Sequence, residues 1–172
     1  MQTTPSTKKW SDIKGLAAVT MDLGKRVGSI DDFYLDIQTH TVPGFEVKTG
    51  LIGHRSMLIA AVQGIGEDAL TFTNEEALVK EGDDPVLKGS FKGRDLLGYR
   101  VLSEGGTVVG TIGNILLSIN LPQSIEVIGY ELTGGLRERF SKRYPTFTTQ
   151  QIARYGQDVM VVPDAVAVEL MK

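Results

Sequence analysis

The residues with the clearest potential for chemistry are two glycines, Gly110 and Gly113, in the apolar stretch VVGTIGNILLS at residues 108–118. A G-x-G-x-x-G pattern between a strand and a helix binds dinucleotides, because glycine lets the backbone approach the pyrophosphate closely. Here Val108 replaces the first glycine, and the stretch leads to a turn near Pro122 rather than to a helix. We therefore interpret these glycines as structural and expect no cofactor.

The acidic stretch IDDFYLD is the second candidate for chemistry, since the carboxylates of Asp31, Asp32 and Asp36 could chelate a hard cation. Their spacing fits no EF-hand loop. A run of charges along a strand is more typical of a face that is exposed to solvent. We therefore predict a solvated strand face and no metal site in this stretch.

Acid–base and nucleophilic catalysis find little support in the sequence. His40 and His54 are the only histidines, and no pattern around either supplies the second group that would orient a catalytic base. No serine lies in a G-x-S-x-G elbow. We expect no catalytic residues and predict that the protein is not an enzyme.

The segment most suggestive of binding is GGLRERFSKRYPTF at residues 134–147, with a further arginine shortly after it. Basic side chains interleaved with aromatic rings are typical of interface hot spots and of loops that contact RNA. The alternative is a surface loop whose rings pack on the domain. The candidate interaction residues are Arg137, Arg139, Phe140, Lys142, Arg143, Tyr144 and Arg154.

These segments belong to a pattern that occurs twice in the chain. The paired stretches, in the same order in both copies, are SDIKGLAA and RDLLGYRV, VGSI and VGTI, GFEVKTG and GYELTGG, and GEDALTF and GQDVMVV. Such self-similarity indicates an internal duplication. We predict a flexible tail at residues 1–9, a first domain at 10–80, a linker at 81–92 and a second domain at 93–172.

Each copy consists of short apolar runs separated by turn residues, which predicts a mainly β domain of the barrel or sandwich type. In the first copy, strands are expected at residues 16–21, 26–36, 44–49, 55–59 and 69–73, with a single turn at 60–62 and a short helix after Asn74. The apolar spacing changes from three to two after Gly28. A bulge at this glycine, and at Gly110 in the second copy, would restore the register.

Composition narrows the class of protein further. The chain has 172 residues, no cysteine and a net charge of −3, which argues against disulfides and against a general nucleic-acid binder. No apolar run is long enough to span a bilayer, and the polar N-terminus does not look like a signal peptide. We expect a cytoplasmic protein without membrane insertion.

The repeated residues resemble the PRC-barrel family, which includes the cytoplasmic domain of the photosynthetic reaction-centre H subunit and the C-terminal domain of the ribosome maturation factor RimM. The resemblance follows the pattern D-[IL]-x-G, V-G-x-[IV], G-[FY]-E-[VL] and G-x-D once in each copy. It implies two tandem six-stranded β-barrels, each followed by a short helix, and no common catalytic apparatus. The residues it places at fold-defining positions include Gly15, Gly28, Gly66, Gly98, Gly110 and Gly156.

The resemblance and the motifs together favour a non-catalytic module for protein interaction or assembly, with an unknown protein partner or with a second copy of the chain. One alternative is an RNA- or ribosome-associated factor that uses the basic loop at 137–143. A second alternative is binding of a small ligand or metal between the two barrels.

Overall fold

The protein is mainly β, as predicted. The computed structural model describes residues 5–133 and 144–172. No helix within these two ranges is long and apolar enough to cross a membrane. The buried side chains are mostly aliphatic and aromatic and come from alternating strand positions, which is the pattern of strands with one face towards a core.

The strands of the described residues are β1 (Ser6–Lys9), β2 (Ala17–Thr20), β3 (Arg26–Asp36), β4 (Thr41–Thr49), β5 (Gly53–Leu58), β6 (Val62–Ile65), β7 (Ala69–Phe72), β8 (Leu78–Lys80), β9 (Phe91–Lys92), β10 (Arg100–Ser103), β11 (Val108–Asn120), β12 (Ser124–Thr133), β13 (Thr146–Thr148), β14 (Arg154–Tyr155) and β15 (Val159–Val162). The α-helices are α1 (Trp10–Ile13), α2 (Pro85–Lys88), α3 (Gly93–Leu96) and α4 (Asp164–Leu170). Single 3-10 turns occur at Ile59–Ala61, Glu75–Ala77 and Thr149–Gln151.

The chain forms two compact units, and neither is continuous in sequence. Unit 1 comprises Met1–Gly93 and Leu117–Val127, and unit 2 comprises Arg94–Leu116 and Ile128–Lys172. The sequence repeat predicts that residues 117–127 belong to the second domain, whereas in the structure they belong to unit 1. The difference arises because a sequence repeat reflects how the chain was duplicated, whereas a compact unit is defined by the contacts between its residues.

Unit 1 is built on the strand order β6-β7-β2-β3-β4-β5. β2 pairs with β3 antiparallel and with β7 parallel. The predicted closed barrel is not confirmed, because the described pairings do not join β5 to β6. Between these two strands the chain passes through the 3-10 turn Ile59–Ala61, whose backbone does not continue the ladder.

Unit 2 repeats the main pairings of unit 1. β10 pairs with β11 antiparallel and with β15 parallel, as β2 does with β3 and β7. The register shifts between Ala18 and Val19 opposite β3, and between Val101 and Leu102 opposite β11. These irregularities lie next to Gly28 and Gly110, where the change in apolar spacing predicts a bulge.

The matched glycines occupy matched backbone positions in the two units. Gly15 and Gly98 both have φ of 90°, a conformation that residues with a side chain rarely adopt. Their N–H groups donate to the carbonyls of Ile30 and Ile112 at 2.7 and 2.9 Å. The N–H groups of Gly66 and Gly156 donate to the carbonyls of Ala69 and Val159, in each case at 2.9 Å. These bonds close the turns that lead into β7 and β15.

Two segments predicted to lack regular structure contain strands. The predicted tail includes β1, and the predicted linker at 81–92 includes α2 and β9. α2 begins at a proline, and the carboxylate of Asp84 accepts from the backbone N–H groups of Val86 and Leu87. Such a capped turn is stabilised locally, so a stretch rich in Gly and Asp need not be a flexible connection.

Candidate functional site

A row of polar side chains is buried across three neighbouring strands of unit 1. Asp32 on β3 lies opposite Glu46 on β4, and Glu46 lies opposite Ser56 on β5. Residues that are directly opposite in antiparallel strands place their side chains on the same face. All three side chains are buried, and this row on the β3–β5 sheet is the centre of the candidate site.

The segment after β7 adds two strands beside those that carry this row. β8 pairs with β5, and β9 pairs with β3 through Tyr34 and Leu35. A Cβ atom added to Gly93 would overlap the ring of Phe33 and lie 3.0 Å from the carboxylate of Asp32. The predicted solvated strand face is therefore wrong for Asp32, which is buried and has the backbone at Gly93, just after the predicted linker, packed against it.

Lys92, on β9, joins two carboxylates. Its Nζ lies 2.9 Å from Oε2 of Glu46 and 3.1 Å from Oε1 of Glu81. Partial burial acts to lower the pKa of Lys92, but the hydrogen bonds to the two glutamates outweigh it and raise the pKa above its ordinary value. The ammonium also lies 5.6 Å from the centre of the Tyr34 ring, within the range of a cation–π contact.

A second polar contact lies beside this ion pair. The hydroxyl oxygens of Tyr34 and Ser56 are 2.9 Å apart and share a buried hydrogen bond. Burial is the main reason that the pKa of Tyr34 is raised, so the phenol stays neutral and can act only as a hydrogen-bonding group near neutral pH. This part of the row is built for packing and positioning rather than for proton transfer.

The solvent side of the row carries His54, at the start of β5. Its Nε2 is 3.4 Å from Oδ2 of Asp31 and 3.6 Å from Oε1 of Glu46. One ligand atom from each of these three residues lies within 4.8 Å of the others. His54 and Asp31 are each about one-third exposed, whereas Glu46 is 2% exposed.

A bulge in β3 brings Asp31 to this position. The register between β3 and β4 shifts between Ile30, which lies opposite Val47, and Asp32, which lies opposite Glu46. Asp31 is therefore the extra residue, and the shift lets two successive aspartates lie near one glutamate. Because the three strands fix the backbone, the imidazole and two carboxylates of Asp31, Glu46 and His54 could hold a metal ion.

Unit 2 contains a buried acid equivalent to Glu46, but it lacks the other acids that surround Glu46 in unit 1. Glu131 on β12 occupies the place of Glu46 in the repeat and is also buried. Gly113 and Asn114 stand in the second copy where the first has Asp31 and Asp32. The carboxylate–imidazole arrangement is therefore a property of the first copy alone.

Unit 2 instead has a pair of neighbouring phenols, a buried Tyr130 and a partly buried Tyr155. The hydroxyl oxygens of Tyr130 and Tyr155 are 3.0 Å apart. Burial raises the pKa of Tyr130 far above its ordinary value, and the neighbouring Tyr155 raises it further. The phenol of Tyr130 therefore remains neutral throughout the range in which proteins usually work.

Four exposed apolar side chains lie in two turns of unit 1. Leu51 and Ile52, in the turn between β4 and β5, are 93% and 94% exposed. Leu23 and Met21, in the turn between β2 and β3, are also exposed. Since β2 to β5 are successive antiparallel neighbours, both turns lie at the same end of the sheet. We call these four residues the apolar turns.

Most of the interaction residues predicted from the sequence lie outside the described part of the chain. Tyr144 is exposed and precedes β13, and Arg154 is exposed on β14. The remaining five, which lie outside the described residues, are Arg137, Arg139, Phe140, Lys142 and Arg143.

A shallow pocket of about 610 Å³ in unit 1 offers no chemistry of its own. Its lining includes Val62 and Ile65 of β6, with Leu121 and Pro122 from the turn between β11 and β12. The polar side chains that line it are Ser6, Gln63 and Thr73, and no ionisable side chain contributes. The pocket could accept an apolar group, but it contains no residue that would act on one.

Sequence comparison provides one family assignment. Residues 5–77 match the PRC-barrel domain family, and this range includes β1 to β7 and the Asp31–Glu46–His54 cluster. No curated protein matches the chain significantly. The family expected from the repeated motifs is therefore confirmed for the first copy.

Proposed function

We propose, from the membership of residues 5–77 in the PRC-barrel family, that this protein is a non-catalytic module for protein interaction. The matched backbone geometry of β10, β11 and β15 supports a second PRC-type unit in the same chain, and hence a tandem duplication. A rigid β scaffold with variable turns is well suited to presenting a binding surface. The described residues do not converge on a nucleophile with a general base.

The observation that carries this proposal is the exposure of the apolar turns. Leu51 and Ile52 are adjacent, large and almost fully exposed, and Gly50 and Gly53 flank them on either side. Single exposed aliphatic residues are ordinary on protein surfaces, but a cluster at one end of a sheet is typical of a contact surface. Burying two such side chains in a partner would stabilise the complex by about 3–5 kcal/mol before the cost of association.

Affinity capture with matched variants tests the proposal. The wild-type chain, a Leu51→Ser/Ile52→Ser variant and a Val168→Ser control are each used to recover partners from native lysate. Val168 is an exposed aliphatic residue on α4 of unit 2, so its substitution removes a similar side chain from the other unit. We expect the wild type and the control to retain one stoichiometric protein that the turn variant loses. Equal recovery by all three would contradict the proposal.

The same variants test whether the partner is another copy of the chain. Sedimentation equilibrium of the wild type would then show a concentration-dependent dimer, and the turn variant would remain monomeric. Because the substituted side chains are exposed, we expect the thermal stability of both variants to stay close to that of the wild type. A variant that unfolds would be replaced by Leu51→Gln alone.

RNA or ribosome association is a second candidate, favoured by the interleaved basic and aromatic residues at 137–143. Charge reversal at Arg139 and Arg143 should weaken association, and binding of the wild type should fall as salt increases. Co-sedimentation with ribosomes that is insensitive to salt and to the substitutions would count against this function.

A further inference from the structure

We propose that Asp31, Glu46 and His54 form a binding site for one divalent transition-metal ion of the zinc class. The site lies in unit 1, and its ligands come from the neighbouring strands β3, β4 and β5. Its three ligands are not among the four residues of the apolar turns, so different variants test the metal site and the proposed interaction function.

The spacing of the ligand atoms carries the proposal. Nε2 of His54 lies 3.4 and 3.6 Å from the nearest oxygens of Asp31 and Glu46. Direct N–H···O hydrogen bonds are shorter, at about 2.7–3.2 Å. Zinc ligands at about 2.0–2.2 Å from the metal lie roughly 3.3–3.6 Å from one another in a tetrahedral arrangement. The imidazole is therefore already placed as if it shared an ion with each carboxylate.

The local charge also favours a cation. Asp31, Asp32, Glu46 and Glu81 lie in or beside the cluster, and the ammonium of Lys92 contacts it. Lys92 bonds Oε2 of Glu46, while the oxygen that faces His54 is Oε1. A hydrogen-bonded neighbour that holds one oxygen of a carboxylate orients the other oxygen towards a metal.

The chemistry of the donors selects the class of ion. One imidazole and two carboxylates suit zinc and its neighbours in the first transition series. Calcium prefers six to eight oxygen ligands, and magnesium keeps a nearly octahedral shell of oxygens. His54 and Asp31 are about one-third exposed, so an ion can enter from solvent and a water molecule can complete its coordination.

Calorimetric titration with zinc chloride on the full chain, after treatment with a chelator, tests the site. The chain contains no cysteine and two histidines, so His40→Asn is a matched control that removes the other imidazole. Asparagine tolerates the positive φ of 60° at residue 40. We expect one zinc per chain in the wild type and in the control, and at least tenfold weaker binding in His54→Gln.

Two results would overturn the proposal. One is an absence of zinc binding by the wild type, and the other is equal affinity in the wild type and in His54→Gln. Because His54 is partly exposed, we expect its substitution to leave the fold intact, which circular dichroism will verify. If it does not, Asp31→Asn takes its place, with the same expected loss of affinity.

A spectroscopic measurement identifies the ligands. Cobalt(II) in place of zinc should give the intense visible absorption of a four-coordinate ion, and His54→Gln should abolish it. A tenfold excess of magnesium or calcium should leave that spectrum unchanged. Displacement of cobalt by either ion would reject a site of the zinc class.

Discussion

Nζ of Lys92 lies 2.9 Å from Oε2 of Glu46, and the pair joins β9 to a side chain on β4 that is almost fully buried. Lys92→Met would remove this ion pair. Breaking a buried pair typically costs 3–5 kcal/mol, and the partial exposure of Lys92 lowers our expectation to about 2 kcal/mol. Urea unfolding at neutral pH measures the loss.

The control for this variant is Lys88→Met, on the exposed side of α2, which should change stability by less than about 0.5 kcal/mol. The pKa of Lys92 is raised in the folded state. Its contribution is therefore fully present below its unfolded pKa of about 10.5 and is lost as pH rises through the higher folded pKa. A difference between Lys92→Met and wild type that disappears at neutral pH would contradict the role of the ion pair.

Gly28→Ala should destabilise the protein more than Gly110→Ala, although the two glycines are equivalent in the repeat. A Cβ atom at residue 28 would overlap the backbone carbonyl oxygen of Lys48, whereas at residue 110 the nearest atom is the carbonyl oxygen of Thr133, 3.2 Å away. We expect losses of about 3 and 1 kcal/mol, respectively. Thermal unfolding of both variants makes the comparison, and equal losses would show that the β3–β4 backbone can move aside.

Tyr155→Phe should cost about 1–2 kcal/mol, because it removes the hydrogen bond of the buried Tyr130 hydroxyl. Adding Tyr130→Phe to this variant should restore part of the lost stability, because the Tyr130 hydroxyl that no longer has Tyr155 as its partner is then removed. A double-mutant cycle by chemical denaturation measures the coupling between the two phenols. Additive losses would mean that the two hydroxyl groups are satisfied independently.

Stability should fall steeply in alkaline solution because of Tyr130. Its pKa is raised in the folded state, so above about pH 10 the unfolded chain releases a proton that the folded chain retains. The unfolded state then binds fewer protons, and the free energy of unfolding decreases as pH rises. Measured between about pH 8 and 11, the slope should be smaller in Tyr130→Phe than in the wild type, and identical slopes would refute this assignment.

Local patterns predict the strands better than they predict the site. β3 is expected and found at residues 26–36, because an apolar run between Gly24 and a polar loop leaves little choice of bounds. The bulge next to Gly28 follows from a change in apolar spacing that the sequence shows directly. Both features depend on neighbours within a few residues.

The polar cluster depends on contacts between distant residues, and the sequence read locally does not contain them. The local sequence predicts that Asp32 is exposed, because nothing near it in sequence shows that the chain at Gly93 packs against it. Glu46 reads as one polar position in an alternating strand. One signal was present in the sequence: Glu131 repeats Glu46 between apolar residues, although Asp31 and Asp32 are replaced in the second copy. A charge kept at a buried position of a duplicated strand indicates a pairing requirement.

The discontinuity of unit 1 has a consequence for biosynthesis. The pairing of Glu126 with Thr41, and the bond from the Val127 N–H to the carbonyl of His40, require chain that is made after residue 93. At 5–20 residues per second, a ribosome needs roughly 2–7 s to extend a nascent chain from residue 93 to residue 127. Unit 1 therefore remains incomplete until residues 94–116 of unit 2, and then its own segment 117–127, have been synthesised. A single proteolytic cut between Gly93 and Arg94 would not release unit 1 whole, because its segment 117–127 would stay with the other fragment.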